Sequence, residues 1–249
     1  MPAWPERVWL IRHGESAGNV ARLRAEREGR LTIDIDAERE VDVPLSPLGE
    51  EQARALARWL AEGPAGERPT AAVASPFQRA RRTGELALEG AGLHLGIDER
   101  LRDRDLGVVN RLTWKGVDER HPELAAQRRT LGRMYFRPPG GESWCDVLLR
   151  LRSFLDSTAR EHPGARLVVF THQVIILLFR SLFEGLTEDQ LYEIHAGPDI
   201  ANCSITEYRF DHCLPEAFSM LLVRFNHLAH LGNAGAPVTE ESDAEAQPR

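Results

Sequence analysis

The chain has 249 residues, of which 42% are hydrophobic and 28% charged, and its formal net charge is -7 at pH 7. This length and composition are ordinary for one large globular α/β domain, and they exclude a disordered or fibrous chain. The acidic balance disfavours a nucleic-acid partner, because such proteins neutralise phosphates over a broad basic surface.

The cysteines and the apolar runs indicate where in the cell the protein is expected. The three cysteines, Cys145, Cys203 and Cys213, are odd in number and show no CxxC spacing. This usage is typical of a reducing compartment, so we expect a cytoplasmic protein. The N-terminus does not read as a signal peptide, and the longest apolar run, 174–179, falls far short of the roughly 20 residues of a membrane-spanning helix. We therefore expect a soluble protein with no membrane partner.

The first predicted elements are a strand and a helix. Residues 7–11 form a nearly continuous apolar run, as expected of a strand buried on both faces of a parallel sheet. The run ends at Arg12 and His13. Ser46 followed by Pro47 then indicates a helix that continues to about residue 60.

A second strand and helix meet at Ser75. The apolar run Ala71–Ala74 predicts the strand. Ser75 can cap a helix, Pro76 suits its first position, and Gln78 completes a capping box. The predicted helix carries Arg79.

A third group of elements surrounds His172. The predicted elements are a helix capped by Ser143 and Asp146 that runs to about Arg160, a strand over 167–170, and a helix over 173–183. Thr171 and His172 lie at the junction of this strand and the helix that follows it.

The C-terminal part contains two further predicted strands, 204–210 and 218–225. From about Gly232 the sequence lacks apolar periodicity and becomes acidic, which is typical of a disordered segment. We therefore predict one domain over 1–231 and a disordered acidic tail over 232–249. The alternation of strands and helices predicts a three-layer α/β/α fold with a mostly parallel sheet.

Candidate site residues stand at the ends of three predicted strands. In open α/β sheets ligands bind at the carboxyl ends of strands, so Arg12, His13, Arg79 and His172 can converge. Two guanidinium groups and two imidazoles suit a phosphoryl group, because arginine forks match its oxygens and stay charged. A metal ion fits less well, and neither a metal nor a cofactor is expected. Repulsion from Arg12 and Arg79 should lower the pKa of His13 and keep its imidazole nucleophilic.

Five short motifs extend this pattern over about residues 7–208. They are Leu10–Ser16 (LIRHGES) with Asn19, Pro44–Ala53 (PLSxxGxxQA), Ser75–Thr83 (SPxxRAxxT), Pro139–Ser143 (PGGES) followed by Asp146 and Arg150, and Val168–His172 (VVFTH). In their order and approximate spacing they resemble the histidine phosphatase superfamily, which contains cofactor-dependent phosphoglycerate mutases and related phosphatases. The resemblance implies a phosphoglycerate mutase-like fold.

The resemblance also implies roles for the matched residues. His13 would be phosphorylated transiently, while Arg12, Arg79 and His172 would hold the phosphoryl group. Asn19 and Ser16 would assist them.

The proton donor of the family lies in an L-x-E segment before a glycine. The matching stretch here, Leu101–Gly107, places Asp103 at that position, with aspartate in place of glutamate. Either carboxylic acid can protonate a leaving oxygen, and Asp105 is a nearby alternative.

Two other positions bear on the substrate pocket. Gln173 stands where relatives commonly have glycine, so its backbone N–H can still contact phosphate while its side chain adds a hydrogen-bonding group above the pocket. Glu142 is expected to be at most a peripheral pocket residue, because the capping box of Ser143 and Asp146 explains the motif around it structurally.

The resemblance leaves the reaction open between hydrolysis and isomerisation. Mutases of the family hold a substrate carboxylate with paired arginines just before a proline run and with a lysine. Here the stretch 132–138, which contains Arg133 and Arg137, offers one arginine at the first place, and Trp114 stands at the second with Lys115 one residue further. We therefore expect a phosphatase acting on a small-molecule phosphomonoester. The alternatives are a 2,3-bisphosphoglycerate-dependent phosphoglycerate mutase and a noncatalytic phosphate-binding module. The physiological ester and the oligomeric state stay open.

Overall fold

A computed structural model describes residues 4–62, 65–211, 213 and 219–239. Within these ranges the central sheet has six strands: β1 (Arg7–Arg12), β2 (Ala71–Ala74), β3 (Leu95–Ile97), β4 (Arg166–Thr171), β5 (Ile205–Phe210) and β6 (Met220–His227). Their spatial order is β3-β2-β4-β1-β5-β6. Strands β1 to β4 are parallel neighbours, and β5 and β6 extend the sheet in antiparallel pairing.

Helices connect the strands. In the described part of the chain they are α1 (Ala17–Arg27), α2 (Pro47–Glu62), α3 (Gln78–Ala87), α4 (Trp114–Arg120), α5 (Pro122–Tyr135), α6 (Trp144–Glu161), α7 (Gln173–Glu184), α8 (Glu188–His195) and α9 (Ala229–Ala234). Across the described ranges, no helix combines the length and the apolar character that crossing a membrane requires.

Two apolar cores lie on opposite faces of the sheet. Because successive strand residues point to opposite faces, Val8 and Leu10 pack in the core formed with α6 and α7. Their neighbours Trp9 and Ile11 pack in the core formed with α2 and α3. The predicted three-layer α/β/α arrangement with a mostly parallel sheet is therefore confirmed. The predicted strands at 7–11, 71–74, 167–170 and 204–210 are present as β1, β2, β4 and β5. Of the segment predicted as a strand over 218–225, residues 220–225 belong to β6, and Phe218 lies outside the described residues.

The helix predicted to start at Ser75 begins later. Helix α3 starts at Gln78 with Phe77 as its N-cap, and no side chain caps it, so the predicted capping box is wrong. The Ser75 backbone N–H bonds to the Phe170 carbonyl at 2.9 Å. This bond keeps Ser75 extended beside β4 and buries its hydroxyl among the strand ends.

Residues 232–239 were predicted to belong to a disordered tail, but in the structure they form part of a helix and make defined contacts. Helix α9 includes residues 232–234, and Leu231 is buried with small apolar residues of α2. Thr239 hydrogen-bonds to Asn202 at 3.0 Å. Small residues such as Ala234 pack without producing a periodic apolar pattern. Residues 240–249 lie outside the described part.

Candidate active site

The ends of β1, β2 and β4 are adjacent in the sheet and bring three polar side chains together. His13 follows β1, Ser75 follows β2, and His172 follows β4. The centres of the two imidazole rings are 5.2 Å apart. The convergence expected from parallel strand ends therefore occurs at this edge.

A cavity of about 170 Å³ opens at this point. Eight of the residues selected from the sequence line it: Arg12, His13, Ser16, Asn19, Arg79, Asp103, Asp105 and Gln173. His172 is buried beside the cavity and reaches Asp103. Glu142 does not line it.

The His13 imidazole is held in one orientation. Its Nδ1 lies 2.7 Å from the carbonyl oxygen of Gly14. Because a carbonyl only accepts hydrogen bonds, Nδ1 carries the proton and Nε2 keeps its lone pair. Burial lowers the pKa of His13 well below its usual value, and the charges of Arg79 and Arg12 lower it further. The ring is therefore neutral and has an unprotonated Nε2 at neutral pH.

The loop after β1 is fixed by the second and third motifs. Gly14 and Gly49 approach so closely that a Cβ on either would overlap the backbone of the other segment. The Gly14 N–H donates to Thr83 Oγ1 at 3.0 Å, and the Glu15 N–H donates to Gln52 Oε1 at 2.9 Å. These motif residues position the loop that carries His13.

Two buried arginines reach the cavity from different directions. Arg12 donates from Nη1 to the Ile200 carbonyl at 2.5 Å. Arg79 donates from Nη1 to the Glu40 carbonyl at 3.1 Å and from Nη2 to Asp103 Oδ2 at 2.8 Å. Such bonds leave each guanidinium oriented and charged, as recognition of an oxyanion requires.

His172 is positioned between Ser75 and Asp103. The Ser75 hydroxyl lies 2.8 Å from Nε2, and Asp103 Oδ2 lies 3.3 Å from Nδ1. Burial lowers the pKa of His172 well below its usual value, with Arg79 contributing next. Helix α7 begins at the following residue, and the N–H groups of its first turn favour negative charge there.

The segment that carries the two candidate proton donors is held by Glu142. Its carboxylate accepts from the Asp105 N–H at 3.1 Å, from Arg150 Nε at 2.9 Å and from Arg102 Nη2 at 2.6 Å. Glu142 thus contacts this segment from behind rather than from the cavity. Asp103 points at Arg79 and His172, whereas Asp105 Oδ1 accepts from Gly107 N–H at 2.8 Å and is exposed.

Ser16 and Asn19 form the start of α1 at the cavity wall. They make a reciprocal capping box in which Asn19 Oδ1 accepts from the Ser16 N–H at 2.9 Å and from its hydroxyl at 2.8 Å. Asn202 supports the same region by donating from Nδ2 to the His13 carbonyl at 3.0 Å.

Several cavity residues were not selected from the sequence. They are Arg22, Glu40, Phe77, Arg102, Arg104 and Arg111. Arg111 adopts a left-handed backbone conformation, with φ of 59°, which no sequence signal indicates. For Arg22 and Glu40 the only signal was the charge-rich composition of the segment 20–43.

The chain matches known proteins along most of its length. The sequence model of the histidine phosphatase superfamily (branch 1) matches residues 8–220. The bifunctional protein Rv2228c of Mycobacterium tuberculosis is 32% identical over 216 residues, which cover 84% of this chain and 54% of that protein. The chain therefore spans about half the length of the mycobacterial relatives it matches.

Two further matches cover nearly the whole of both chains. The probable phosphoglycerate mutase GpmB of Photorhabdus laumondii is 26% identical over 226 residues, which cover 90% of this chain and 94% of that protein. The native structure of a mycobacterial glucosyl-3-phosphoglycerate phosphatase has a TM-score of 0.70 and 26% identity, covering 90% of this chain and 99% of that one. The likeness confirms the predicted phosphoglycerate mutase-like fold.

Proposed function

The chain belongs to the histidine phosphatase superfamily, branch 1, and on this premise we propose that it hydrolyses a phosphomonoester through a phosphohistidine on His13. The observation that carries the proposal is the state of that imidazole. Nδ1 donates to the Gly14 carbonyl, so the Nε2 lone pair is the one available for attack on phosphorus.

In the first step His13 Nε2 forms a bond to phosphorus while the bond from phosphorus to the alcohol oxygen breaks. Asp103 in its acid form gives its proton to that oxygen, so a neutral alcohol leaves. The guanidinium groups of Arg12 and Arg79 stabilise the charge on the phosphoryl oxygens. His172 contacts the phosphoryl oxygens through Nδ1, because its other ring nitrogen, Nε2, bonds to Ser75.

In the second step water attacks the phosphohistidine. Asp103, now a carboxylate, takes a proton from this water as its oxygen bonds to phosphorus, and the bond from phosphorus to Nε2 breaks. Inorganic phosphate leaves, and His13 regains its lone pair. Asp103 is then protonated again for the next cycle.

The contact between Arg79 and Asp103 supports this assignment. Asp103 Oδ2 accepts from Arg79 Nη2 at 2.8 Å. An incoming phosphoryl group competes for the same guanidinium, so substrate binding releases the carboxyl group toward the leaving oxygen. We assign proton donation to Asp103 rather than Asp105, whose Oδ1 is engaged by the Gly107 N–H.

The similarity to relatives named as probable mutases makes isomerisation the second candidate. However, Arg133 lines a different cavity of about 780 Å³, where its Nη1 lies 2.6 Å from His195 Nε2. Trp114 lines the same cavity with Arg128 over its ring at 3.6 Å. This placement favours hydrolysis. Strong isomerisation of 3-phosphoglycerate that depends on 2,3-bisphosphoglycerate would replace the phosphatase proposal with the mutase.

A reducing, cytoplasmic location is part of the proposal. Cys145, Cys203 and Cys213 are all free thiols in the structure. Such free thiols are common in reducing compartments.

The test is detection of the intermediate. Purified protein mixed with a ³²P-labelled phosphomonoester and quenched in alkali should carry label that is lost in acid, as a phosphohistidine is. His13→Ala should abolish both label and turnover, and His94→Ala, an exposed histidine outside the cavity, should retain both. Activity should persist in a strong chelator. If no phosphoester labels the protein and His13→Ala still binds phosphate normally, the chain is a noncatalytic phosphate-binding module.

A further inference from the structure

Gln173 is a buried side chain at the wall of the catalytic cavity. It is the first residue of α7, only 6% of its surface is exposed, and it lines the cavity. The side chain therefore forms part of the cavity wall.

The orientation of the Gln173 amide is fixed by Asp199. Nε2 donates to Asp199 Oδ1 at 3.0 Å. A carboxylate only accepts hydrogen bonds, so the nitrogen must face Asp199 and the oxygen must face away from it. Asp199 is itself held, because Asn226 Nδ2 donates to its backbone carbonyl at 2.9 Å.

The amide oxygen is left without a partner. Among the described residues, Gln173 Oε1 is buried and has no hydrogen-bond donor. A buried acceptor without a donor is destabilising, and buried polar groups are normally paired. The unpaired acceptor belongs to a residue that lines the cavity, so a ligand bound there can supply the donor.

The charge of the cavity indicates what kind of donor this is. Six arginines line it: Arg12, Arg22, Arg79, Arg102, Arg104 and Arg111. Three acidic residues accompany them: Glu40, Asp103 and Asp105. An excess of fixed positive charge repels an ammonium donor, so the donor is a neutral group, and a hydroxyl is the simplest neutral donor that the alcohol part of a phosphomonoester can supply.

We propose that Gln173 Oε1 accepts a hydrogen bond from a hydroxyl group on the alcohol part of the substrate, which makes the substrate a polyol or sugar phosphate rather than a simple alkyl or aryl phosphate. The inference rests on the proposed phosphatase function and adds the substrate class. Gln173 is then a specificity-determining residue. It contacts the part of the ester that leaves, and it takes no part in proton transfer.

The experiment compares each hydroxylated ester with its single-deoxy analogues. Glycerol 3-phosphate and a set of hexose 6-phosphates are assayed beside analogues that lack one hydroxyl. For the preferred ester, removal of one particular hydroxyl should lower kcat/KM by about 10- to 100-fold, the range expected when a buried acceptor loses its donor. Calorimetric binding to His13→Ala measures the same preference without turnover.

Variants of Gln173 and Asp199 test whether the Gln173 amide is the source of the preference for the hydroxylated ester. Gln173→Leu keeps the bulk and removes the acceptor, so the ratio between the ester and its deoxy analogue should fall to within about 3-fold. Asp199→Asn can donate as well as accept, so it no longer holds the Gln173 amide in one orientation, and the ratio should fall part of the way toward that of Gln173→Leu. Gln173→Gly provides a second measurement of the same ratio if Gln173→Leu unfolds.

Three results would overturn the inference. The first is a wild-type protein that binds every deoxy analogue as well as the parent ester, as it would if a water molecule satisfied Oε1. The second is a kcat/KM ratio between the parent ester and its deoxy analogue that is unchanged in Gln173→Leu and Gln173→Gly. The third is a preference for simple alkyl or aryl phosphates. In each case a phosphohistidine on His13 would still support the proposed function, whereas its absence would refute that function separately.

Discussion

Replacing Asp103 by asparagine removes the acidic proton of the proposed donor and changes little else in size. In the wild type, Oδ1 accepts from the Arg104 N–H at 3.0 Å. An asparagine oxygen can keep this bond. The substitution does remove the negative charge that lies 2.8 Å from Arg79 Nη2 and 3.3 Å from His172 Nδ1.

The size of the effect should depend on the leaving group. General acid catalysis contributes about 10²- to 10⁴-fold, so Asp103→Asn should lower kcat/KM for an alkyl phosphate by that factor. p-Nitrophenolate leaves without a proton, so the loss with p-nitrophenyl phosphate should be below about 10-fold. Removal of the competing carboxylate should also let Arg79 bind inorganic phosphate more tightly, by about 5-fold if the partly exposed pair contributes about 1 kcal/mol.

The assay measures three quantities on the same preparations: steady-state kinetics, the pre-steady-state burst of p-nitrophenol and inhibition by inorganic phosphate. Because the proposed base of the second step is also lost, Asp103→Asn with p-nitrophenyl phosphate should release a burst of p-nitrophenol and accumulate the phosphohistidine. Asp105→Asn is the matched control and should change each quantity by less than about 3-fold. Equal losses with both substrates would refute general acid catalysis by Asp103. A larger loss in Asp105→Asn would move the role to that residue.

Three other changes test the supports of the site and its titration. Glu142→Ala should lower the free energy of unfolding by about 3–5 kcal/mol, because it leaves the buried guanidinium of Arg150 without its carboxylate; a loss below about 1 kcal/mol in urea titrations would contradict this. Gly49→Ala forces a Cβ against the backbone after β1 and should cost about 1–3 kcal/mol and reduce turnover; wild-type stability and turnover would show that the close approach is not required. Burial lowers the pKa of His195 and of His230 to about 4. Between that value and 6.5, the unfolded chain binds more protons, so stability should fall by about 1.4 kcal/mol per pH unit for each ring as the pH drops; equal unfolding free energies at about pH 7 and about pH 5 would refute it.

Each of these measurements has a matched control. Glu28→Ala breaks an exposed ion pair with Arg24 and should leave the unfolding transition in place. Gly66→Ala adds a Cβ in open space. His195→Gln and His230→Gln should each flatten the pH dependence, whereas the exposed His94→Gln should leave its slope unchanged.

The strands that deliver the site were predictable because their signal is local. An apolar run that ends in polar residues marks a buried strand and its ligand-facing end together, as in β1 with His13 and β4 with His172. Ser75 shows the limit of local signals. Its position before Pro76 indicates a helix cap, yet pairing with β4 keeps it extended and gives its hydroxyl to His172.

The rest of the cavity is formed by tertiary contacts that have no local signature. Arg111 reaches the cavity through a left-handed turn, and its Nη2 bonds to the Ala37 carbonyl at 2.6 Å. Strand β3 is only three residues long, Leu95–Ile97, and contains a glycine, so no periodic pattern can reveal it. The Glu142 motif was predictable as a helix cap, but its contact with Asp105 depends on the packing of two distant segments.

The segment after Leu231 shows most clearly how a polar, non-periodic stretch can belong to the site. Gln52 Nε2 donates to the Pro237 carbonyl at 2.9 Å and to Thr239 Oγ1 at 3.0 Å. Thr239 bonds in turn to Asn202, whose Nδ2 supports the His13 carbonyl at 3.0 Å. These hydrogen bonds connect residues 237–239 to the loop that carries His13 from both sides.

Truncation tests whether residues 232–239 support the loop that carries His13 or are dispensable. A chain that ends at Thr239 keeps the network and should match the full chain in stability and turnover. A chain that ends at Leu231 loses three of these bonds and opens the Gln52 amide to water, so its unfolding free energy should fall by about 2–4 kcal/mol, at roughly 1 kcal/mol for each bond. Its turnover should fall as well, because the loop that orients His13 loses its support. If the shorter chain unfolds and turns over like the longer one, residues 232–239 do not hold the His13 loop in place.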